Sequence, residues 1–238
     1  MKSIIKYELR HYIHSPVTFL FGGLFFMICA IYFFIDNIRA RSGDLTAFYN
    51  SVSVILLFML PVLTARVISE DRKSGFEVLL ITSPINTVQM ISGKFAATMI
   101  VIIIMLSSTL CFPAFLSLFA DIDIVSLGSR YLALLLLAAS IAALGIFISS
   151  LTESQVAACV LSLISLLILF AASPIGTAVG GNTAKIISAV SVFSRFTEMN
   201  EGIFTVGTVV YFLSFTFVFL FLTVQTTAYR RIHGGGRS

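Results

Sequence analysis

Six long apolar segments, separated by short polar ones, are the feature that most constrains how this chain folds. They lie at 17–35, 47–65, 95–119, 131–151, 156–173 and 203–226, and each is close to the ~20 residues that a helix needs to cross the hydrocarbon core of a bilayer. Lipid offers the backbone no hydrogen-bond partners, so such segments must satisfy their own N–H and C=O groups as helices. We therefore predict an all-α integral membrane protein, with one domain over residues 1–233 and a glycine-rich linker or tag remnant at 234–238.

The composition agrees with this fold class. The chain is 58% hydrophobic and 11% charged, whereas soluble domains are about 45–50% apolar and about 25% charged. Six spans place both termini on the same side of the membrane, and the excess of Lys and Arg marks the cytoplasmic side. The terminal side receives Lys2, Lys6, Arg10, Arg66, Arg72, Lys73, Lys94, Arg230, Arg231 and Arg237, and the other side receives Arg39, Arg41, Arg130, Lys185 and Arg195. Both termini are therefore predicted to be cytoplasmic.

Two segments outside the spans also show helical periodicity. In residues 1–15, apolar residues recur at helical spacing with basic residues between them: Ile5, Leu9, Tyr12 and Ile13 against Lys2, Lys6 and Arg10. This pattern favours an amphipathic interfacial helix on the inner leaflet over a frayed, lipid-attracted tail. The outer segment 174–202 is broken at Gly180-Gly181-Asn182 and then regains helical spacing, which predicts one or two short re-entrant helices.

The sequence contains no pattern typical of a catalytic, cofactor or metal site. It lacks H-E-x-x-H, C-x-x-C and G-x-S-x-G, and Gly93-Lys94 lacks the earlier glycine of a phosphate-binding loop. His11 and His14 stand three apart without a third ligand. The ionisable residues nearest to the spans lie at span ends: Asp36, Arg66, Glu153 and Arg230. Because proton-coupled carriers need an ionisable residue at membrane depth, we expect uphill transport to draw its energy from a partner, although sodium coupling through backbone carbonyls remains the alternative. We expect neither an intramembrane enzyme nor a nucleic-acid partner.

The segment 66–94, between the second and third spans, carries the densest local signals. Arg66 and Glu70 stand four apart, and Ser74-Gly75-Phe76-Glu77 is a capping box before an apolar run. Ser83-Pro84 predicts a second start, with a short helix over 84–92. Two helix starts within ten residues predict a cytoplasmic docking platform of short capped helices, although a solvated turn remains the alternative.

The same segment resembles the ABC-2 type permeases of ATP-binding-cassette exporters, most of all the branch associated with gliding motility and copper-oxidase maturation. The matching positions are Arg66, Glu70-Asp71-Arg72, Gly75-Phe76, Glu77-x-Leu79-Leu80, Ser83-Pro84 and Gly93-Lys94. Asp71 and Phe76 depart from the usual Glu and Thr. The first change keeps the charge, and the second puts in doubt any role of the threonine hydroxyl.

The resemblance implies a permease subunit that forms a translocation path and couples to a separate cassette-type ATPase through 66–94. The residues implied in coupling are Arg66, Glu70, Arg72, Gly75, Glu77, Ser83, Pro84, Gly93 and Lys94. ATP and Mg would be used by that ATPase, and the permease would pair with a second permease, identical or related, in the lipid of a bacterial inner membrane. The alternative is an ATP-independent channel, carrier or scaffold.

Overall fold

The part of the chain that the structure describes is helical and contains no strand. The computed structural model describes residues 2–73, 86–120, 123–179, 191–202 and 205–233. The helices are α1 (Lys2–His14), α2 (Pro16–Phe33), α3 (Thr46–Lys73), α4 (Thr87–Ser108), α5 (Cys111–Leu116), α6 (Ile124–Leu151), α7 (Gln155–Val179), α8 (Val192–Asn200) and α9 (Val206–His233). A π-helical turn, Phe34–Arg39, extends α2.

Within the described residues, six helical stretches are long and apolar enough to cross a membrane, which confirms the predicted fold class. They are Pro16–Arg39, Thr46–Ser69, Thr87–Leu116, Ile124–Leu151, Gln155–Ala172 and Val206–Arg230. The third and fourth begin seven or eight residues earlier than hydropathy predicts. Polar caps set these starts: Asn86 accepts a hydrogen bond from the Val88 N–H, and Asp123 accepts from the N–H groups of Val125 and Ser126.

The second and fourth spans, α3 and α6, form the centre of the bundle. Their most apolar windows are each 72% buried, against 17% for the first and fifth spans. A Cβ added at Gly145 of α6 would lie 2.1 Å from Thr64 Oγ1 of α3. Small residues of this kind let membrane helices approach closely. α9 packs against the other side of α6, so α6 contacts helices on two faces.

Aromatic rings fill the space between α2, α3 and α5. The Phe33 ring lies 5.1 Å from Phe112 and 5.6 Å from Phe48, and Phe48 lies 5.6 Å from Phe112, as measured between ring centroids. These spacings are within the favourable range for aromatic pairs. The cluster fixes the short helix α5 against the first two spans.

The predicted short helix over 84–92 is wrong. Asn86 has an extended backbone with φ −70° and ψ 134°, and α4 runs without interruption from Thr87 through Gly93 to Ser108. The observed N-cap of α4 is therefore Asn86 and not Ser83, because the asparagine side chain accepts from the N–H of Val88 in the first turn. The capping box at 74–77 and the pair Ser83-Pro84 lie outside the described residues.

Helices are also present in the two segments outside the spans. α1 corresponds to the predicted amphipathic helix, and it packs against α4. α8 is a short helix within 174–202, and it buries Val192, Phe193, Phe196 and Met199 against the bundle. The placement of α1 on the inner leaflet and of 174–202 in the outer leaflet stays a prediction.

Candidate functional site at the base of segment 66–94

The two flanks of segment 66–94 lie side by side in the structure. Val67 and Ile68 at the end of α3 pack with Ile91 of α4 and Ile146 of α6 in a separate apolar cluster. Tyr12 of α1 packs against the same cluster. Leu220 and Val224 of α9 pack against it as well, so five helices meet where the segment leaves and re-enters the bundle.

Lys94 joins three of these helices through its ammonium group. Its Nζ donates to Glu8 Oε1 of α1 at 2.6 Å and to the Val67 carbonyl of α3 at 2.9 Å. The Lys94 side chain is 2% exposed and that of Glu8 is 12% exposed. A lysine is almost never this buried unless it is paired, because the desolvation of its charge must be offset. We call this arrangement of Glu8, Lys94 and the Val67 carbonyl the three-helix junction.

The spacing of residues along α1 explains how the junction forms. Positions 4, 8 and 12 lie on one helix face. Ile4 sits against Gly93, where an added Cβ would lie 2.9 Å from Ile4 Cγ2. One turn later Glu8 meets Lys94, and the Tyr12 hydroxyl lies 3.3 Å from Thr98 Oγ1.

Burial of α1 against α4 also affects the chemistry of Tyr12. It raises the pKa of the Tyr12 hydroxyl to about 12, although the hydrogen bond with Thr98 opposes this rise. The tyrosine is therefore neutral at physiological pH.

Ser149 of α6 holds the same turn of α3 from a different direction. Its Oγ accepts from the N–H groups of Ile68 and Ser69 at 3.3 and 3.2 Å and donates to the Ala65 carbonyl at 2.9 Å. The Ser69 hydroxyl also donates to the Ala65 carbonyl. The Val67 turn is thus bonded to α4 through Lys94 and to α6 through Ser149.

A second polar network lies at the opposite end of α3. Asn200, the last residue of α8, donates to the Thr46 carbonyl at 2.9 Å and to Asn50 Oδ1 at 3.0 Å. Arg130 of α6 donates to the Asn200 carbonyl at 3.2 Å, to Asp44 Oδ1 at 3.2 Å and to Thr46 Oγ1 at 3.0 Å. This network, which we call the outer network after the predicted orientation of the chain, attaches α8 to the start of α3 and to α6.

The outer network also sets the charge of Asp44. Burial alone would raise the pKa of its carboxyl group. The hydrogen bonds from Thr46 and the charge of Arg130 outweigh burial and hold the pKa below its ordinary value. Asp44 is therefore an anion that Arg130 can bind at neutral pH.

Five of the nine residues predicted for coupling lie on described helices, and the other four lie outside the described residues. Arg66 is half-buried on α3, and Gly93 and Lys94 are buried on α4. Glu70 and Arg72 fall on the last turns of α3, but their side chains are not described. The other four, Gly75, Glu77, Ser83 and Pro84, lie outside the described residues. A role in coupling stays a prediction for all nine.

Sequence reasoning missed Glu8, Ser149 and the outer network. A signal for Glu8 was present: it is the one acidic residue before Asp36, and it falls on the apolar face of α1 between Ile4 and Tyr12. A lone acid on an apolar helix face indicates a buried basic partner. Ser149 and Asn200 gave no comparable signal, because their partners are carbonyl and N–H groups that any residue carries.

Both networks bond helices to one another. Among the residues that the structure describes, no group of three or more His, Cys, Asp or Glu side chains could hold a metal ion. The geometry suits the transfer of movement between helices, since each network joins elements that are distant in sequence.

Comparison with known proteins identifies the family of the chain. Residues 37–225 match the sequence profile described as ABC-2 family transporter protein. The match covers α3 to α8 and most of α9, which is most of the chain. No curated protein matches the chain significantly. Six membrane-spanning helices and this match together show that the chain belongs to the ABC-2 family and is a multi-pass permease subunit of an ABC transporter.

Proposed function

We propose that this permease is the transmembrane part of an exporter and that a separate cassette-type ATPase docks on segment 66–94. The observation that carries the proposal is the bonding of both flanks of that segment. Val67 on one flank and Lys94 on the other share a hydrogen bond, and Ser149 binds the same turn of α3. A displacement of the segment would therefore be passed on to α3, α4 and α6 together, because all three helices are bonded at this turn.

The length of α3 supports the transfer of such a displacement across the membrane. The outer network bonds α3 at Thr46 and the three-helix junction bonds it at Val67, 21 residues later. This separation corresponds to about 32 Å at 1.5 Å per residue, close to the thickness of the ~30 Å hydrocarbon core. Movement of α3 would act directly on α8, which Asn200 attaches to the start of α3.

The proposal also assigns a role to each partner. ATP and Mg bind in the ATPase, and this chain binds no cofactor. Arg66, Glu70, Arg72 and Glu77 supply charges for docking, while a second permease, identical or related, completes the path. The excess of Lys and Arg places both termini in the cytoplasm, and α8 with the rest of 174–202 forms an exit gate on the outer side. The motifs of segment 66–94 favour the gliding-motility and copper-oxidase-maturation branch.

The proposal is tested by purification of the tagged chain from its native membranes in mild detergent. We expect a cassette-type ATPase to co-purify and the preparation to hydrolyse Mg·ATP in a vanadate-sensitive manner. Glu77→Ala should lower the bound ATPase or the hydrolysis rate. The matched control is Glu153→Ala, because Glu153 is an exposed acid in the turn between α6 and α7, on the same predicted side.

Two results would contradict the proposal. The first is a folded, monodisperse permease that carries no ATPase, which would favour an ATP-independent channel, carrier or scaffold. The second concerns orientation. In a variant lacking Cys29, Cys111 and Cys159, a cysteine placed at Ser83 should react with an impermeant maleimide only from the cytoplasmic side. Reaction from outside would place segment 66–94 on the wrong side for an ATPase.

A further inference from the structure

The three-helix junction points to a role for α1, which lies outside the family match because that match begins at residue 37. We propose that Glu8 and Lys94 are positioning residues that make α1 move with the end of α3 when the ATPase acts. On this proposal Lys94 works inside the permease and does not contact the ATPase. The inference rests on the proposed function, because it needs an ATPase that drives segment 66–94.

Burial decides against Lys94 as a docking residue. A side chain that is 2% exposed offers no surface to a soluble partner, and its ammonium already donates to Glu8 and Val67. Gly93 beside it is covered by Ile4. The Gly93-Lys94 pair is thus occupied by α1 and α3.

The position of the Val67 carbonyl explains why the junction would transmit movement. Lys94 bonds α3 at residue 67, and Ser149 bonds it at Ala65, Ile68 and Ser69, within the same turn. Movement of α3 at Val67 must either break the bond from Lys94 or carry Lys94, and therefore α4, along with it. Because Lys94 is paired with Glu8, the second course also carries α1.

Lys94 bonds both Glu8 and the Val67 carbonyl. Variants at residues 8 and 94 can therefore separate the effect of the junction on stability from its transmission of movement. The double variant Glu8→Leu/Lys94→Met replaces a buried ion pair by apolar side chains of similar size, a change that proteins often tolerate. It removes the bond to Val67 as well. The charge exchange Glu8→Lys/Lys94→Glu keeps a pair but turns a carboxylate toward the Val67 carbonyl, so it should not restore the junction. Lys94→Met alone removes both bonds that the ammonium group donates, and it serves if the double variant does not fold.

The experiment measures the movement of α1 in the permease–ATPase complex. Spin labels are attached to cysteines replacing Lys6, on the exposed face of α1, and Val156, which is exposed at the start of α7. Distances are recorded without nucleotide and with Mg·ATP and vanadate. With Glu8 and Lys94 intact we expect a shift of about 2 Å or more. In the double variant the shift should be lost, while ATPase binding and thermal stability stay close to those of the parent protein.

Each other outcome overturns the inference. An unchanged shift in the double variant or in Lys94→Met means that the junction only stabilises the fold. Loss of ATPase from a folded double variant means that Lys94 acts at the docking surface. No shift in the parent complex means that α1 does not move. If no ATPase associates with the parent protein, the proposed function fails first, and this inference fails with it.

Discussion

Replacement of Gly145 by Ala tests whether the contact between α3 and α6 holds the centre of the bundle. The added Cβ would lie 2.1 Å from Thr64 Oγ1 and 2.9 Å from Thr64 Cβ, whereas carbon atoms in favourable contact are about 3.5–4.0 Å apart. Rotation of the threonine cannot remove the overlap, because its Cβ does not move with χ1. Rotation would also break the hydrogen bonds from Oγ1 to the carbonyls of Leu60 and Pro61. The two helices must therefore separate.

The expected cost is about 2–3 kcal/mol of the free energy of unfolding. Overpacking of a filled interior costs about 1–3 kcal/mol, and this overlap belongs at the upper end. The better helix propensity of Ala offsets up to about 1 kcal/mol of this cost. That value was measured in water, and we expect it to be smaller within a membrane.

The assay is reversible unfolding in mixed micelles by added SDS, followed by far-UV circular dichroism, since the chain has no tryptophan for fluorescence. Gly128→Ala is the matched control: it lies on the same helix, and nothing is within 4 Å of its added Cβ. It should leave the free energy of unfolding unchanged or raise it slightly. Thr64→Ala in the Gly145→Ala background should recover part of the loss, because only the contact with Cβ remains. Equal effects of the two glycine substitutions would refute the packing argument.

Three further predictions concern the two networks. Ser149→Ala should lower the free energy of unfolding by about 1 kcal/mol, measured as above. Ser165→Ala should have no effect, because this half-buried serine bonds only to the Leu161 carbonyl of its own helix; equal losses would contradict the role of Ser149. Asn200→Ala should release α8 and raise amide hydrogen exchange over 192–200, and unchanged exchange would show that apolar packing alone holds this helix. Because the pKa of Asp44 is lowered, its contribution to stability is complete above its unfolded pKa of about 3.9 and is lost as the pH falls through the lowered pKa. Unfolding measured against pH should show this loss, and Asp44→Asn should abolish it; the same acid dependence in the variant would assign it to another group.

The spans could be predicted from the sequence because lipid imposes one requirement on every residue of a spanning segment. That requirement is averaged over about 20 positions, so single polar residues such as Ser53 in the second span do not hide it. Helix ends are different. Hydropathy places the third span at residue 95, but the cap at Asn86 starts the helix at Thr87, and the choice between Ser83 and Asn86 as cap depends on one hydrogen bond.

The candidate site was predictable only in part, because its bonds join residues that are distant in the chain. Lys94 was identified by its motif, but its partner Glu8 is 86 positions away, and spacing rules that apply within one helix do not reach so far. The bond from Asn200 to Thr46 crosses 154 positions. A sequence pattern can show that a buried charge needs a partner, but only the packing of α1 against α4 shows which residue supplies it.

The contacts between α1 and α4 make the residues at two distant places in the sequence depend on each other. Ile4 meets Gly93, Glu8 meets Lys94 and Tyr12 meets Thr98, so a change at one position alters what its counterpart can accept. A larger residue at 93 calls for a smaller one at 4, and a neutral residue at 8 leaves the lysine at 94 without its counter-ion. A chimera that takes its first helix from another permease should therefore also take residues 93–98 from that protein.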